Sequence, residues 1–221
     1  WDLFAISTYL TVSVMFLYLG LMPDLAAARD RITDWRRQVY RVLSLGWLGT
    51  DRQWRHYMAL YGFFAALATP LVVSVHSVVS WDFAVSILPG WHSTIFAPYF
   101  VAGAIFSGVA MVVTLLVPMR RIFKIESYIT VHHFENLAKL MLMTSLIVSY
   151  AYMVEFFIAW YSGSPFEQGT FYDRMFGQYW AYSWMMFTCN VILPLLLFVK
   201  SFRTNLKALF VLSIFVNIGM W

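Results

Sequence analysis

Long, nearly unbroken apolar runs dominate the chain, and strict alternation of apolar and polar residues is rare. Six runs stand out, at roughly 3–22, 56–81, 94–118, 137–161, 177–199 and 208–221. Each of the first five holds about 20 or more mostly apolar residues. That is what an α-helix rising 1.5 Å per residue needs to cross about 30 Å of hydrocarbon. The pattern predicts an all-α membrane protein, a polytopic bundle of transmembrane helices with six spans. Pro70, Pro98 and Pro194 within these runs predict kinks or helix ends, because neighbouring helices in a bundle can satisfy a freed carbonyl.

The connections between spans alternate in charge. Segment 23–55 carries Arg29, Arg31, Arg36, Arg37, Arg41, Arg52 and Arg55. Segment 119–129 carries Arg120, Arg121 and Lys124, and segment 200–207 carries Lys200, Arg203 and Lys207. The intervening loops, 82–93 and 162–176, hold only Arg174. The positive-inside rule therefore assigns the basic loops to the cytoplasm and Trp1, 82–93 and 162–176 to the outer side. Within the long basic segment, Trp35, Val39, Val42 and Leu43 recur at helical spacing between arginines. An amphipathic helix lying in the membrane interface is predicted there, anchored on anionic headgroups.

Composition agrees with the runs. Of 221 residues, 61% are hydrophobic, 19% aromatic and only 12% charged, more apolar surface than one soluble core of this size can hide. The net charge of +4 sits beside the spans, so it reports topology and excludes a nucleic-acid partner in favour of lipid. The chain opens on Trp1 and stops at Trp221 inside an apolar run, which reads as a fragment of a longer protein. Cys189 is the single cysteine; one thiol makes no intrachain disulfide and no zinc or iron–sulfur ligand set.

Ionisable residues inside a membrane are costly and mark pathways or sites. His76 lies 21 residues beyond Arg55, about 31 Å along a helix, and so falls near the outer face. Asp82 follows at the outward end of the same helix, and His92 and Asp2 open two other spans at that level. Glu155 sits about 12 Å below Gly163 in the outer part of its span. Carboxylates and imidazoles near a membrane face are what quinol oxidation needs, since the hydroquinone must release protons as its electrons leave. Plainer readings stand beside this one: Asp2 and Asp82 as helix-end residues at a wet interface, and His92 beside Trp91 as part of an aromatic belt.

At the inner side, "ESYITVHHFENLAKLM" carries His132, His133, Glu135 and Lys139. Glu135 and Lys139 have the i, i+4 spacing of a surface ion pair. A sharper reading makes His132, His133 and Glu135 the mouth of a proton path whose outer end is Glu155. The 20 residues between Glu135 and Glu155 span about 30 Å, so other helices or waters would have to bridge it. Bis-histidine haem is disfavoured because His76 lies at the outer level whereas His132 and His133 lie at the inner one. Small-xxx-small pairs, Gly103 with Ser107 and Ala104 with Gly108, predict close helix packing in the third span.

The stretch "SVHSVVSWDFAVSILPGWHSTIFAPYFVAGAIFSG" resembles the polysulfide-reductase-type, NrfD-like integral membrane subunits, and in particular ActC of bacterial alternative complex III. "WDLFAISTYLTVSVMFLYLGLMPDLAAARDR", "HHFENLAKLMLMTSLIVSYAYMVEFFIAWYSG" and "FVNIGMW" extend the resemblance almost end to end. It implies a quinol:electron-acceptor oxidoreductase in the bacterial inner membrane, with quinol (menaquinol by expectation) as substrate and no haem or metal on this chain. Electrons would pass to an iron–sulfur subunit at the outer face and on to c-type cytochrome subunits, beside a second NrfD-like subunit. It further implies that 1–118 is the second half of a first, quinol-binding helix bundle and 119–221 a truncated second bundle. His76, Asp82 and Asp2 match polar positions of the family's quinol pocket. His132, His133, Glu135 and Glu155 match helices for which proton conduction is proposed. A non-catalytic membrane anchor competes with this reading. A secondary transporter competes less well, since the polar residues crowd one face instead of the midplane.

Overall fold

The computed structural model describes residues 1–221, all helical apart from connections. The helices are α1 (Asp2–Arg31), α2 (Arg36–Leu43), α3 (Asp51–Ala84), α4 (Phe96–Ile122), α5 (Val131–Tyr161), α6 (Pro165–Phe176), α7 (Trp180–Phe187), α8 (Lys200–Thr204) and α9 (Leu206–Met220). Between α7 and α8 the chain winds through a π turn (Thr188–Ile192) and a 3₁₀ stretch (Leu193–Phe198). Five segments are long and apolar enough to cross a bilayer: α1, α3, α4, α5 and the composite Trp180–Phe198. The sixth expected span corresponds to α9, whose 15 residues rise about 22 Å. The chain is an integral membrane protein of the polytopic helical kind.

The helices outrun the apolar runs that announced them. α1 continues through Pro23 to Arg31 and takes in the first residues of the 23–55 segment. Proline removes one backbone bond, but the Ala26–Ala28 run beyond it has the highest helix propensity available. Pro98 lies in the first turn of α4, where a missing N–H costs nothing. Pro70 lies inside α3 without ending it. Segment 162–176, expected as a plain loop, folds instead into α6. Its local signals are Pro165 at the first helical position, Glu167 in the first turn and Gly177 just past the end.

The chain forms two compact units, Trp1–Val78 and Val79–Trp221, and α3 carries the boundary. In the first, rings of Phe16 and Tyr61 meet at 4.7 Å between α1 and α3. Arg29 at the end of α1 donates to Ser44 Oγ (3.2 Å) and to the Trp47 carbonyl (3.0 Å), which fixes the turn after α2. Trp47 then packs edge-on against Trp54 and Tyr57. The expected amphipathic helix is α2, with Val39 and Val42 exposed beside its arginines.

In the second unit α4 packs on α5 and α9 around an apolar core. Phe106, Ala110 and Val113 come from α4, Phe134, Ala138, Met141 and Val148 from α5, and Leu209, Leu212 and Val216 from α9. Their three- and four-residue spacings put each set on one helix face. Gly103 admits the close approach its motif predicts: a Cβ there would stand 3.1 Å from Met220 Cε. Gly108 does not, for a Cβ there would meet nothing. Gly219 is tighter still, with a hypothetical Cβ 2.5 Å from Cys189 Cβ and 2.8 Å from Asn190 Oδ1 in the π turn.

Candidate functional site

Two places gather ionisable or polar groups beside a cavity. The first is a groove within the N-terminal unit. It measures about 400 Å³ and runs between α1 and α3, walled by Tyr9, Val12, Phe16, Tyr61, Leu71 and Val72. His76 stands one helical turn beyond Val72. Its Nδ1 is 2.8 Å from the Val72 carbonyl, and its ring meets Tyr9 edge-on at 6.2 Å. A carbonyl only accepts, so Nδ1 is the nitrogen that carries hydrogen and Nε2 of the neutral ring is the acceptor. Asp2 lies in the first turn of α1, where a carboxylate suits the helix dipole, and its buried Oδ1 makes no hydrogen bond. Asp82, six residues past His76 on the last turn of α3, is exposed and belongs to the C-terminal unit, outside this groove.

The second place lies in the C-terminal unit, where α6 closes over the end of α5. Arg174 Nη1 of α6 donates to Glu155 Oε1 of α5 at 2.9 Å. Glu167, also on α6, accepts from the Gly90 amide at 3.0 Å with one oxygen and faces His92 Nε2 at 3.2 Å with the other. His92 Nδ1 in turn sits 3.0 Å from the Leu88 carbonyl. Since that carbonyl can only accept, a single proton shared between His92 Nε2 and Glu167 completes the contact. Glu155, Glu167, His92 and Arg174 line one cavity of about 130 Å³, room for a few waters. Glu155 and Arg174 also edge a second cavity of about 330 Å³, walled by Trp91, Phe96, Tyr99 and Tyr152. There the Tyr99 hydroxyl donates to Tyr152 Oη at 3.3 Å, one turn from Glu155.

Structure and sequence part company over this site. Glu155 and His92 are both in it, but of the partners that fix them the sequence marks Arg174 only as the one cation of the intervening loops and does not mark Glu167 at all. Both sit on α6, and only the helix-start signals at Ser164–Pro165–Glu167 could have exposed them. The other ionisable cluster divides into local roles. His133 Nδ1 takes the amide of Thr130 at 3.1 Å and its hydroxyl at 3.0 Å, capping α5. His132 Nε2 meets Asn136 at 3.3 Å. Glu135 makes the expected ion pair with Lys139 (3.2 Å) and lies 4.0 Å from Arg203. No group of three or more His, Cys, Asp or Glu side chains is placed to hold a metal ion.

The family is decided by the whole length of the sequence: the family described as polysulphide reductase, NrfD, matches residues 1–221. The chain belongs to the NrfD family. Among curated proteins, this NrfD chain is similar to a putative dimethyl sulfoxide reductase membrane subunit (the C subunit) of Halobacterium salinarum. The two are 32% identical over 116 residues, which cover 52% of this chain and 24% of that protein. The match thus spans about a quarter of the relative's length.

Proposed function

We propose that this NrfD chain is the quinol-oxidising membrane subunit of a respiratory oxidoreductase complex, of the ActC kind found in alternative complex III. The observation that carries the reading is His76. Its Nδ1–H is committed to the Val72 carbonyl, which leaves Nε2 to take a proton from a hydroxyl, and its two neighbours Val72 and Tyr9 line an apolar, aromatic-walled groove. A quinol offers both halves of that match, a planar head with ionisable hydroxyls and an apolar tail. Asp82 and Asp2 are further proton acceptors in this reading, and His92 an additional one.

The alternation of basic loops with loops that hold few cations supports placing the arginine-rich segments in the cytoplasm of a bacterium and the quinol end at the outer face. Electrons would leave to an iron–sulfur partner there and on to c-type cytochromes, beside a second NrfD-like subunit. Glu155, Glu135, His132 and His133 are proposed as ends of a proton path, with menaquinol as the donor. The name of the halobacterial relative, a reductase membrane subunit, supports a role within a multi-subunit complex.

One observation favours the anchor reading. Glu155 is closed by Arg174, and Glu135 by Lys139, so each proposed end of the proton path has an ion-pair partner. The test is quinol oxidation by the whole purified complex carrying His76→Ala or Asp82→Asn, with its full set of polypeptides verified. Loss of a positioned proton acceptor should lower turnover by about 10²-fold or more in an intact complex. Wild-type turnover by an intact His76→Ala complex would make the chain an anchor.

A further inference from the structure

The basic groups at the α4–α9 end of the second unit serve the reading above only as topology signals. Arg120 and Arg121 end α4, and Lys207 opens α9. All three line one groove of about 480 Å³, with Glu126 as the single carboxylate and Val117, Leu206, Phe210 and Val211 as apolar wall. Arg120 is partly committed, since its Nε donates to the Ile129 carbonyl at 2.6 Å. Arg121 and Lys207 carry no ion pair. Three cations against one carboxylate leave the groove with a local charge of +2, which calls for an anion.

The surroundings say what sort of anion. α4 ends at the groove and α9 begins there, so both helices lead away from it toward the same side. Along α4 the exposed apolar residues include Met111, Leu115 and Ile122, and along α9 Val211, Phe215 and Ile218, each at least 45% exposed. From Arg121 to Met111 is about 15 Å of helix, and from Lys207 to Ile218 about 16 Å. Half of a hydrocarbon layer about 30 Å thick is about 15 Å. A cationic pocket therefore stands at the head of two rows of exposed apolar side chains, one on each helix and each about one leaflet deep.

We propose that this groove holds an anionic phospholipid, its phosphate headgroup between Arg121 and Lys207 and its acyl chains along Leu115, Met111, Phe215 and Ile218. Charge complementarity selects the head, and the apolar rows distinguish a lipid from free phosphate. Basic pockets between transmembrane helices bind such headgroups at about 1 kcal/mol per cation near the surface. Replacing both Arg121 and Lys207 by glutamine should weaken binding roughly 30-fold.

The complex containing the full chain, purified in neutral detergent, would be photolabelled with a reactive phosphatidylglycerol, and adducts mapped by peptide mass spectrometry. Adducts on 111–122 and 207–218 are expected. They should be displaced by unlabelled phosphatidylglycerol and not by phosphatidylcholine, lost in R121Q/K207Q, and kept in the charge-conserving R121K/K207R. If the double glutamine variant does not assemble, Lys207→Gln alone should raise the competing phosphatidylglycerol needed about 5-fold. Equal displacement by phosphatidylcholine, or full labelling in the glutamine variant, overturns the proposal. Displacement by inorganic phosphate alone would assign the groove to a free anion and overturn it equally.

Discussion

The contact between α6 and α5 allows a quantitative test. Arg174→Met keeps most of the side-chain stem and removes the guanidinium that donates to Glu155 Oε1 at 2.9 Å. A hydrogen bond with a charged partner is worth about 1.5–3 kcal/mol when well enclosed. Here the two side chains are 39% and 27% exposed, which discounts it to about 1–2 kcal/mol. α6 keeps other ties, among them Glu167 to the Gly90 amide and to His92 and Gln168 Nε2 to the Trp160 carbonyl, so the expected loss is local opening and not unfolding. Native-state hydrogen exchange on the backbone amides of 168–176 reads that opening directly. Arg174→Met should speed exchange there about 5- to 30-fold while leaving amides around Phe106 and Phe134 unchanged. Glu155→Gln should act in the same direction. The double variant should fall short of the product of the two singles, because both remove the same contact. A change under about twofold in Arg174→Met, or effects that multiply in full in the double variant, would refute the idea that this pair holds α6 in place.

Two further outcomes follow from packing and capping. Gly219→Ala would put a Cβ 2.5 Å from that of Cys189 and 2.8 Å from Asn190 Oδ1, and overpacking of this kind costs about 1–3 kcal/mol. The thermal midpoint of the detergent-solubilised complex should drop; an unchanged midpoint would mean that α9 can step away from the π turn at no cost. Asn205→Ala removes the carbonyl oxygen that accepts from the amides of Lys207 and Ala208, a cap worth about 1 kcal/mol. Exchange in the first turn of α9 should rise about fivefold, and equal exchange in variant and wild type would dismiss the cap.

How much of this was legible beforehand depends on the range of the interaction. The spans announced themselves because lipid imposes a composition on some 20 residues at a time, a signal no single residue can erase. The faces inside the second unit were also readable: Phe134, Ala138, Met141 and Val148 repeat at helical spacing. Boundaries were less so, since hydropathy ends where charge begins, whereas α1 runs on through charged turns to Arg31. α6 was missed for the opposite reason. Twelve residues of mixed polarity between two spans look like a connection, and only its end signals distinguish it. The pairings of Glu155 with Arg174 and of His92 with Glu167 were beyond reach because they join residues 19 and 75 positions apart across a turn of chain. The capping contact of His133 Nδ1 with Thr130 at the start of α5 was also out of reach, because a histidine three residues past a threonine carries no strong cap signal.

The close seat of Gly219 against the π turn has a practical side. Cys189, the chain's single thiol, is buried behind that glycine. A maleimide reaches a thiol only when it is accessible, so alkylation of Cys189 must wait for α9 to lift away. The native protein thus carries its own chemical clock: the rate of labelling at Cys189 counts how often that helix departs, with no engineered probe. The same seclusion gives a silent background against which cysteines placed elsewhere on the chain can be scanned one by one.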